Sequence, residues 1–238
     1  MILFRDRKKN ARPERAIKKT GSELFMITEI YIASLSSYPA DYLKWKYEKI
    51  KEHFVSVDGG KVYERAENIL GRILLHNALQ KHSIEEYTVE YNSNEKPILI
   101  SENTMYFNIS HSGDYVALAL SDKEVGCDIQ EIRPYNPKVA KRNYSQKETD
   151  FIEKSHNKDE SFIRLWALKE SVLKFTGMGI SGGLSNYDFS SYAVEERFEA
   201  FGCNFYVQKT ENLYFALCHK AEEFKIENTD FQNERRTT

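Results

Sequence analysis

Two long stretches of helical apolar spacing, each preceded by one strand-like run and followed by several more, constrain the fold of this chain most. Between Tyr63 and Leu79, residues Ala66, Ile69, Leu70, Ile73, Leu74 and Leu75 share one stripe of a helix. From about Asp159 to Phe175, residues Phe162, Ile163, Leu165, Trp166, Leu168 and Val172 build a broad apolar face. That face stops at Gly177 and Gly179, residues that tolerate the left-handed backbone of a helix end. Around the two helices lie alternating, β-branched runs: LFMITEIYIASL, YTVEY, PILI, MYFNISHS, YVALALS and EVGCDIQEI, then DFSSYAV, FEAFGCNFYVQK and NLYFALCHK. The order strand, helix, strands therefore occurs twice, which predicts an α+β protein of two similar lobes in pseudo-twofold arrangement. Each lobe is a small, mostly antiparallel sheet with a packed helix. The N-terminal lobe is expected over residues 23–124 and the C-terminal lobe over 125–238, although no residue-level repeat joins them.

Smaller signals fill in this frame. Residues 41–56, charged and aromatic, are predicted to be helical, and Ser145–Glu148 (SQKE) has the spacing of a capping box at a helix start. Residues 1–22 carry eight Lys/Arg against two acids and read as a flexible basic extension. Their apolar start, Met1–Phe4, is shorter than the roughly 7 residues a secretory core needs and precedes the charges.

Composition excludes several classes. The 238 residues can bury a core without a disulfide or metal staple. With 34 basic and 36 acidic residues the net charge is −2, which argues against a whole-surface nucleic-acid binder. No uninterrupted apolar run approaches the roughly 18 residues of a membrane span. Cys127, Cys203 and Cys218, none in a CxxC, cannot complete a disulfide framework or a zinc knuckle, so a reducing, cytoplasmic compartment is expected.

The chemistry starts at Asp128, which lies in the apolar run Val125–Ile129, where an ionised carboxylate is costly unless a cation or donors compensate it. Glu170 and Lys174 are four apart and share a helix face. As a surface ion pair they would contribute about 0.3 to 0.5 kcal/mol. If Asp128 and Glu170 instead converge, two hard oxygen ligands plus substrate phosphates make a typical Mg²⁺ site, with Lys174 facing the same phosphates.

Three segments occur in order: Phe107–Ser112 (FNISHS), Val125–Gln130 (VGCDIQ) and Trp166–Lys174 (WALKESVLK). Together they resemble the signatures of the 4'-phosphopantetheinyl transferases of the long pseudodimeric type, and the likeness is strongest over residues 96–180. The resemblance implies a two-lobed fold with coenzyme A in the cleft between lobes. It implies transfer of the 4'-phosphopantetheine arm to a serine of an apo acyl or peptidyl carrier protein, releasing 3',5'-ADP. Asp128 and Glu170 match the metal ligands, for Mg²⁺ or Mn²⁺, and Glu170 also matches the base, acting directly or through a metal-bound water. Lys174 matches the lysine that neutralises the phosphates; Ser110, His111 and Lys96 match residues that line the coenzyme. Gln130 stands where the family usually has a third acid; an amide oxygen can ligate but supplies no charge. Arg65 matches the family's N-terminal arginine only approximately, with Lys46, Lys49, Lys51 and Lys61 nearby in sequence.

Other residues carry blander readings. Lys169 is either a solvated helix residue or an internal ion-pair partner, Trp166 a core residue, Glu148 a capping residue, and Glu131 a side chain on the strand face opposite Asp128. An active monomeric transferase is the expected function, with no nucleic-acid or membrane partner. A degenerate member that binds coenzyme A or a carrier protein without turnover, and an unrelated Mg²⁺ nuclease, are the alternatives.

Overall fold

The computed structural model describes residues 27–54, 65–179, 183–210 and 212–227. The extension at 1–22, the first residues of the LFMITEIYIASL run, Lys61 and Tyr63 lie outside the described residues. Strand β1 (Thr28–Ser34) is followed by α1 (Ala40–Glu48), α2 (Ala66–Lys81), a hairpin of β2 (Tyr87–Tyr91) and β3 (Pro97–Ser101), then β4 (Tyr106–Ser112) and β5 (Tyr115–Ser121). The second half runs β6 (Val125–Glu131), α3 (Pro137–Asn143), α4 (Gln146–Lys154), α5 (Lys158–Thr176), β7 (Arg197–Ala200), β8 (Cys203–Thr210), β9 (Leu213–His219) and β10 (Phe224–Glu227).

The two sheets have the orders β10-β1-β5-β4 and β6-β9-β8-β7. In each, the first strand pairs with the last long strand, which pairs with the one before it, and a long helix follows the first strand. The repeat therefore exists as topology, β1-α2-β4-β5 against β6-α5-β8-β9, and the α+β two-lobed expectation holds. Among the named strands of the described residues, all pairings are antiparallel except β1 with β10.

The pleat of β5 explains how the halves meet. Val116, Leu118 and Leu120 point into the core under α2, while Ala117 and Ala119 point the other way, onto Val125, Cys127, Ile129, Phe215 and Leu217. Small alanines on that face let the two sheets pack closely, and a strand covered on both sides reads as a continuous apolar run. On β6 the alternation sends Val125, Cys127 and Ile129 into this shared core and leaves Gly126, Asp128 and Gln130 on the face toward α5. Gly126 is the contact point: a Cβ there would lie 2.3 Å from the Ser171 carbonyl oxygen and the Phe175 amide nitrogen.

Four details differ from the sequence reading. The helix expected over 41–56 ends at Glu48, followed by a single tight turn at Lys51–His53. DFSSYAV is not a strand: Asp188 Oδ1 accepts the Ser190 N–H at 2.8 Å and a 3₁₀ turn follows at Ser190–Tyr192. Helix α3 was not foreseen; it begins at Pro137, after the cap residue Asn136, whose side chain accepts the Lys138 and Val139 amides. Strand β10 returns the chain to the first sheet. The capping box at Ser145 and Glu148 forms as expected, and Gly177 ends α5 at φ 69°.

Candidate active site

Strands β4 and β6 are the adjoining edges of the two sheets, and α5 covers the face of β6 turned away from the shared core. The chemistry-bearing residues collect where these three elements meet. Asp128 is 1% exposed. Its Oδ1 accepts the Ser110 hydroxyl at 2.7 Å and the Lys174 Nζ at 2.6 Å, and its Oδ2 accepts the Gln130 amide at 3.0 Å. The compensation that an apolar strand context demands is thus supplied by one cation and two neutral donors.

Ser110 has all its hydrogen-bonding capacity in use. Besides donating to Asp128, its oxygen accepts from Lys174 Nζ at 2.7 Å and from the Ile129 N–H at 3.3 Å. Burial alone would lower the Lys174 ammonium, but Asp128 outweighs it and holds the group above its usual value. Glu170 lies one turn earlier on α5, half-buried. Burial first and the charge of Asp128 second push its carboxyl above the ordinary range, with Lys174 opposing. The two carboxyl groups therefore share one electrostatic environment.

Lys96, immediately before β3, donates to the Phe175 carbonyl oxygen at 3.0 Å, in the last turn of α5. A cation at a helix C-terminus is favourable, and burial lowers its pKa. His111 is exposed on β4; partial desolvation holds its imidazole below the usual value, and it feels the charges of Glu67, Lys174, Arg65 and Asp128. Arg65 sits at the N-terminus of α2, 3.9 Å from Glu67. Lys49 lies over the Trp45 ring and Lys51 pairs with Glu48 at 2.7 Å.

Glu131 packs against Gly113 and away from Asp128: a Cβ on Gly113 would lie 1.9 Å from Glu131 Oε1. Trp166 is half-buried against the core. Lys169 is fully buried on Glu148, 2.8 Å from Oε2, which makes it the internal ion-pair partner and leaves Glu170 alone to face the site. The sequence reading missed Asn108 and Ser112 on β4, both buried and both bonded to the backbone of β6. Polar residues at every second position of an otherwise apolar strand were the available signal.

Among the described residues no group of three or more His, Cys, Asp or Glu gathers as a metal cage. The donor set is two carboxylates and one amide, hard oxygen ligands too few to enclose an ion. That suits Mg²⁺, which keeps several positions for water and substrate oxygens. The Lys174 ammonium on Asp128 shows that the spot attracts a cation.

A family model described as the 4'-phosphopantetheinyl transferase superfamily matches residues 124–230. The chain is 36% identical over 124 residues to 4'-phosphopantetheinyl transferase psf-1 of Bacillus pumilus, covering 50% of this chain and 53% of that protein. It is 32% identical over 126 residues to 4'-phosphopantetheinyl transferase Sfp of Bacillus subtilis, covering 50% and 55%. To 4'-phosphopantetheinyl transferase AcpT of Salmonella typhi it is 37% identical over 118 residues, covering 48% and 59%. The chain spans about half the length of the curated relatives it matches. The part of the chain that is similar to the 4'-phosphopantetheinyl transferase superfamily, residues 124–230, carries Asp128, Gln130, Glu170 and Lys174.

Proposed function

We propose that this chain transfers the 4'-phosphopantetheine arm of coenzyme A to a serine of an apo acyl or peptidyl carrier protein. The observation that carries the reading is the contact of Lys174 and Ser110 with Asp128, beside a Glu170 whose carboxyl feels the Asp128 charge. Asp128, Glu170 and Gln130 would hold Mg²⁺, or Mn²⁺ in its place. A bound divalent ion neutralises charge growing on a departing phosphate.

The carrier serine oxygen attacks the β-phosphorus of coenzyme A; an O–P bond forms and the bond from that phosphorus to the bridging oxygen breaks. 3',5'-ADP leaves with the electron pair. Glu170 takes the serine proton, a role that a carboxylate above its ordinary pKa performs better than an unperturbed one. Lys174, held protonated by Asp128, stands ready to neutralise the bisphosphate. Lys96, immediately before β3, and His111, on β4, would contact the coenzyme, while Ser110 serves the site by holding Asp128. Residues 23–124 and 125–238 would act as two lobes of a cytoplasmic monomer, with β10 tying the second to the first.

The test is incubation of the purified protein with coenzyme A, Mg²⁺ and apo carrier proteins, read as a mass gain of one phosphopantetheine arm on the carrier. Coenzyme A binding without that gain on fatty-acid, peptide and polyketide carriers would overturn the reading in favour of binding alone.

A further inference from the structure

The edges of the two sheets do not pair directly. Strands β4 and β6 run parallel, and the contacts between them repeat with a constant offset of 19 residues. The Cys127 N–H donates to Asn108 Oδ1 at 2.8 Å, the Ile129 N–H to Ser110 Oγ at 3.3 Å, and the Glu131 N–H to Ser112 Oγ at 3.1 Å. Each amide that an ordinary ladder would send to a backbone carbonyl instead meets a side chain. The Cys127 thiol also donates to the Asn108 carbonyl oxygen at 3.4 Å, and Arg133 Nη2 donates to Ser112 Oγ at 3.3 Å. Asn108 and Ser112 are 5% and 4% exposed, so neither is a surface residue that meets its partner by chance.

A buried amide without an acceptor keeps its full desolvation penalty, so these rungs are strongly preferred over an open gap. Their geometry has a further consequence. A side-chain rung separates two backbones by more than the roughly 4.8 Å of a direct ladder. That wider spacing is where Asp128, whose own side chain lies on the α5 face of β6, meets the Ser110 hydroxyl. Only the middle rung touches the site. The outer two fix the offset that brings Ser110 level with Ile129 and so within reach of Asp128. A slip along the strands would carry Asp128 past Ser110.

We infer that Asn108 and Ser112 are positioning residues: as the outer rungs of a side-chain ladder they set β6 against β4 and thereby hold Asp128 at Ser110 and Lys174. This rests on the transferase reading above. Loss of an outer rung leaves every group in contact with Asp128 in place but frees it to drift, and displacement of about 1 Å in a reacting constellation can cost up to about a hundredfold in rate.

Ser112→Val and Ser112→Thr have the same shape and differ in the hydroxyl alone; Asn108→Leu removes the other outer acceptor. Hydrogen exchange at the Cys127, Ile129 and Glu131 amides reads the ladder, and kcat and KM for coenzyme A read the role. The expected result is slow exchange in the natural protein and faster exchange in Ser112→Val and Asn108→Leu. Both should lose about tenfold or more in kcat with KM within about twofold, and Ser112→Thr should recover most of kcat. Equal kcat in Ser112→Val and Ser112→Thr, with exchange opened only in the former, would overturn the positioning role. Unprotected amides in the natural protein would overturn the ladder itself, even if the variants fail to fold. Protected amides in a natural protein that transfers nothing would instead overturn the transferase reading, and the role with it.

Discussion

Lys169 and Glu148 form an ion pair that no water reaches: Nζ lies 2.8 Å from Oε2 and both side chains are 0% exposed. Lys169 also donates to the carbonyl oxygens of Leu184 and Tyr187 and lies over the Tyr144 ring. Glu148 accepts the Ser145 N–H through Oε2 and the Phe189 N–H through Oε1. The pair thus fastens α4 and the 184–189 loop to α5. Because adjacent helix residues are 100° apart, sending Lys169 into the core turns Glu170 toward β6.

Lys169→Met should therefore lose about 3 to 5 kcal/mol in urea denaturation, since it strands a buried carboxylate. A loss under about 1 kcal/mol would mean that the pair is solvated like a surface bridge.

Glu170→Gln separates function from stability in the opposite direction. Burial and Asp128 raise the Glu170 carboxyl above its ordinary 4.5, so its ionised form is disfavoured in the folded state. The folded state therefore gains stability as pH falls from neutral through the raised value toward 4.5. Without added metal, Glu170→Gln should match or exceed the natural protein in Tm at pH 7, and the gap should close toward pH 5. Transfer should nevertheless be abolished. Near-normal turnover would refute its proposed roles as base and ligand.

Gly126→Ala tests how closely α5 approaches β6. The added Cβ would fall 2.3 Å from two backbone atoms of α5, Ser171 O and Phe175 N, neither of which can move alone. Overpacking typically costs about 1 to 3 kcal/mol, and a backbone clash places this variant at the upper end. The helix should tilt from the strand, weakening transfer together with Tm. An unchanged Tm would contradict the contact.

These contacts show what sequence could and could not reveal. Strands β2 to β6 and the capping box were readable because their signals are local: alternation, turn residues and an S-x-x-E spacing. Asp128 stood out because a carboxylate in an apolar strand demands a partner, and Lys174 is that partner. What escaped depends on distant residues. The 188–194 segment alternates like a strand, but the Phe189 N–H goes to Glu148, and β10 is four residues that, among the described residues, pair with β1 alone. Spacing placed Lys169 and Lys174 on one helix without saying that the first enters the core and the second faces Asp128. Ser110 resembled a coenzyme contact, yet its hydroxyl is committed to Asp128, Ile129 and Lys174.

Glu29 joins β10 to the rest. It is 2% exposed; Oε1 accepts Lys225 Nζ at 2.8 Å, and Oε2 accepts the Tyr31 hydroxyl and His82 Nε2. Burial raises its pKa, but Lys225, Tyr31 and His82 outweigh that and bring it down to about 2. A depressed carboxylate contributes stability above its ordinary value of 4.5 and loses it as pH falls from there toward 2. The contribution at neutral pH is about 3 kcal/mol. Glu29→Gln should be less stable at pH 7 by that order, with the difference shrinking below pH 4.5 in acid-unfolding curves. A difference constant with pH would show that the charge plays no part.

Gln130→Glu addresses the one proposed ligand position without a charge. In the natural protein the Gln130 amide donates to Asp128 Oδ2 at 3.0 Å, so it supports the carboxylate when no divalent ion is present. A glutamate there cannot donate when ionised and adds a second negative charge beside Asp128, with Lys174 as the cation already in contact. The metal-free variant should therefore melt below the natural protein. Added Mg²⁺ should restore it, because three carboxylates offer the ion more charge than two. Calorimetric titration should show tighter Mg²⁺ binding by the variant, and the gain in Tm with Mg²⁺ should exceed that of the natural chain. An identical titration would place residue 130 outside the coordination shell and leave Gln130 with the single task of orienting Asp128.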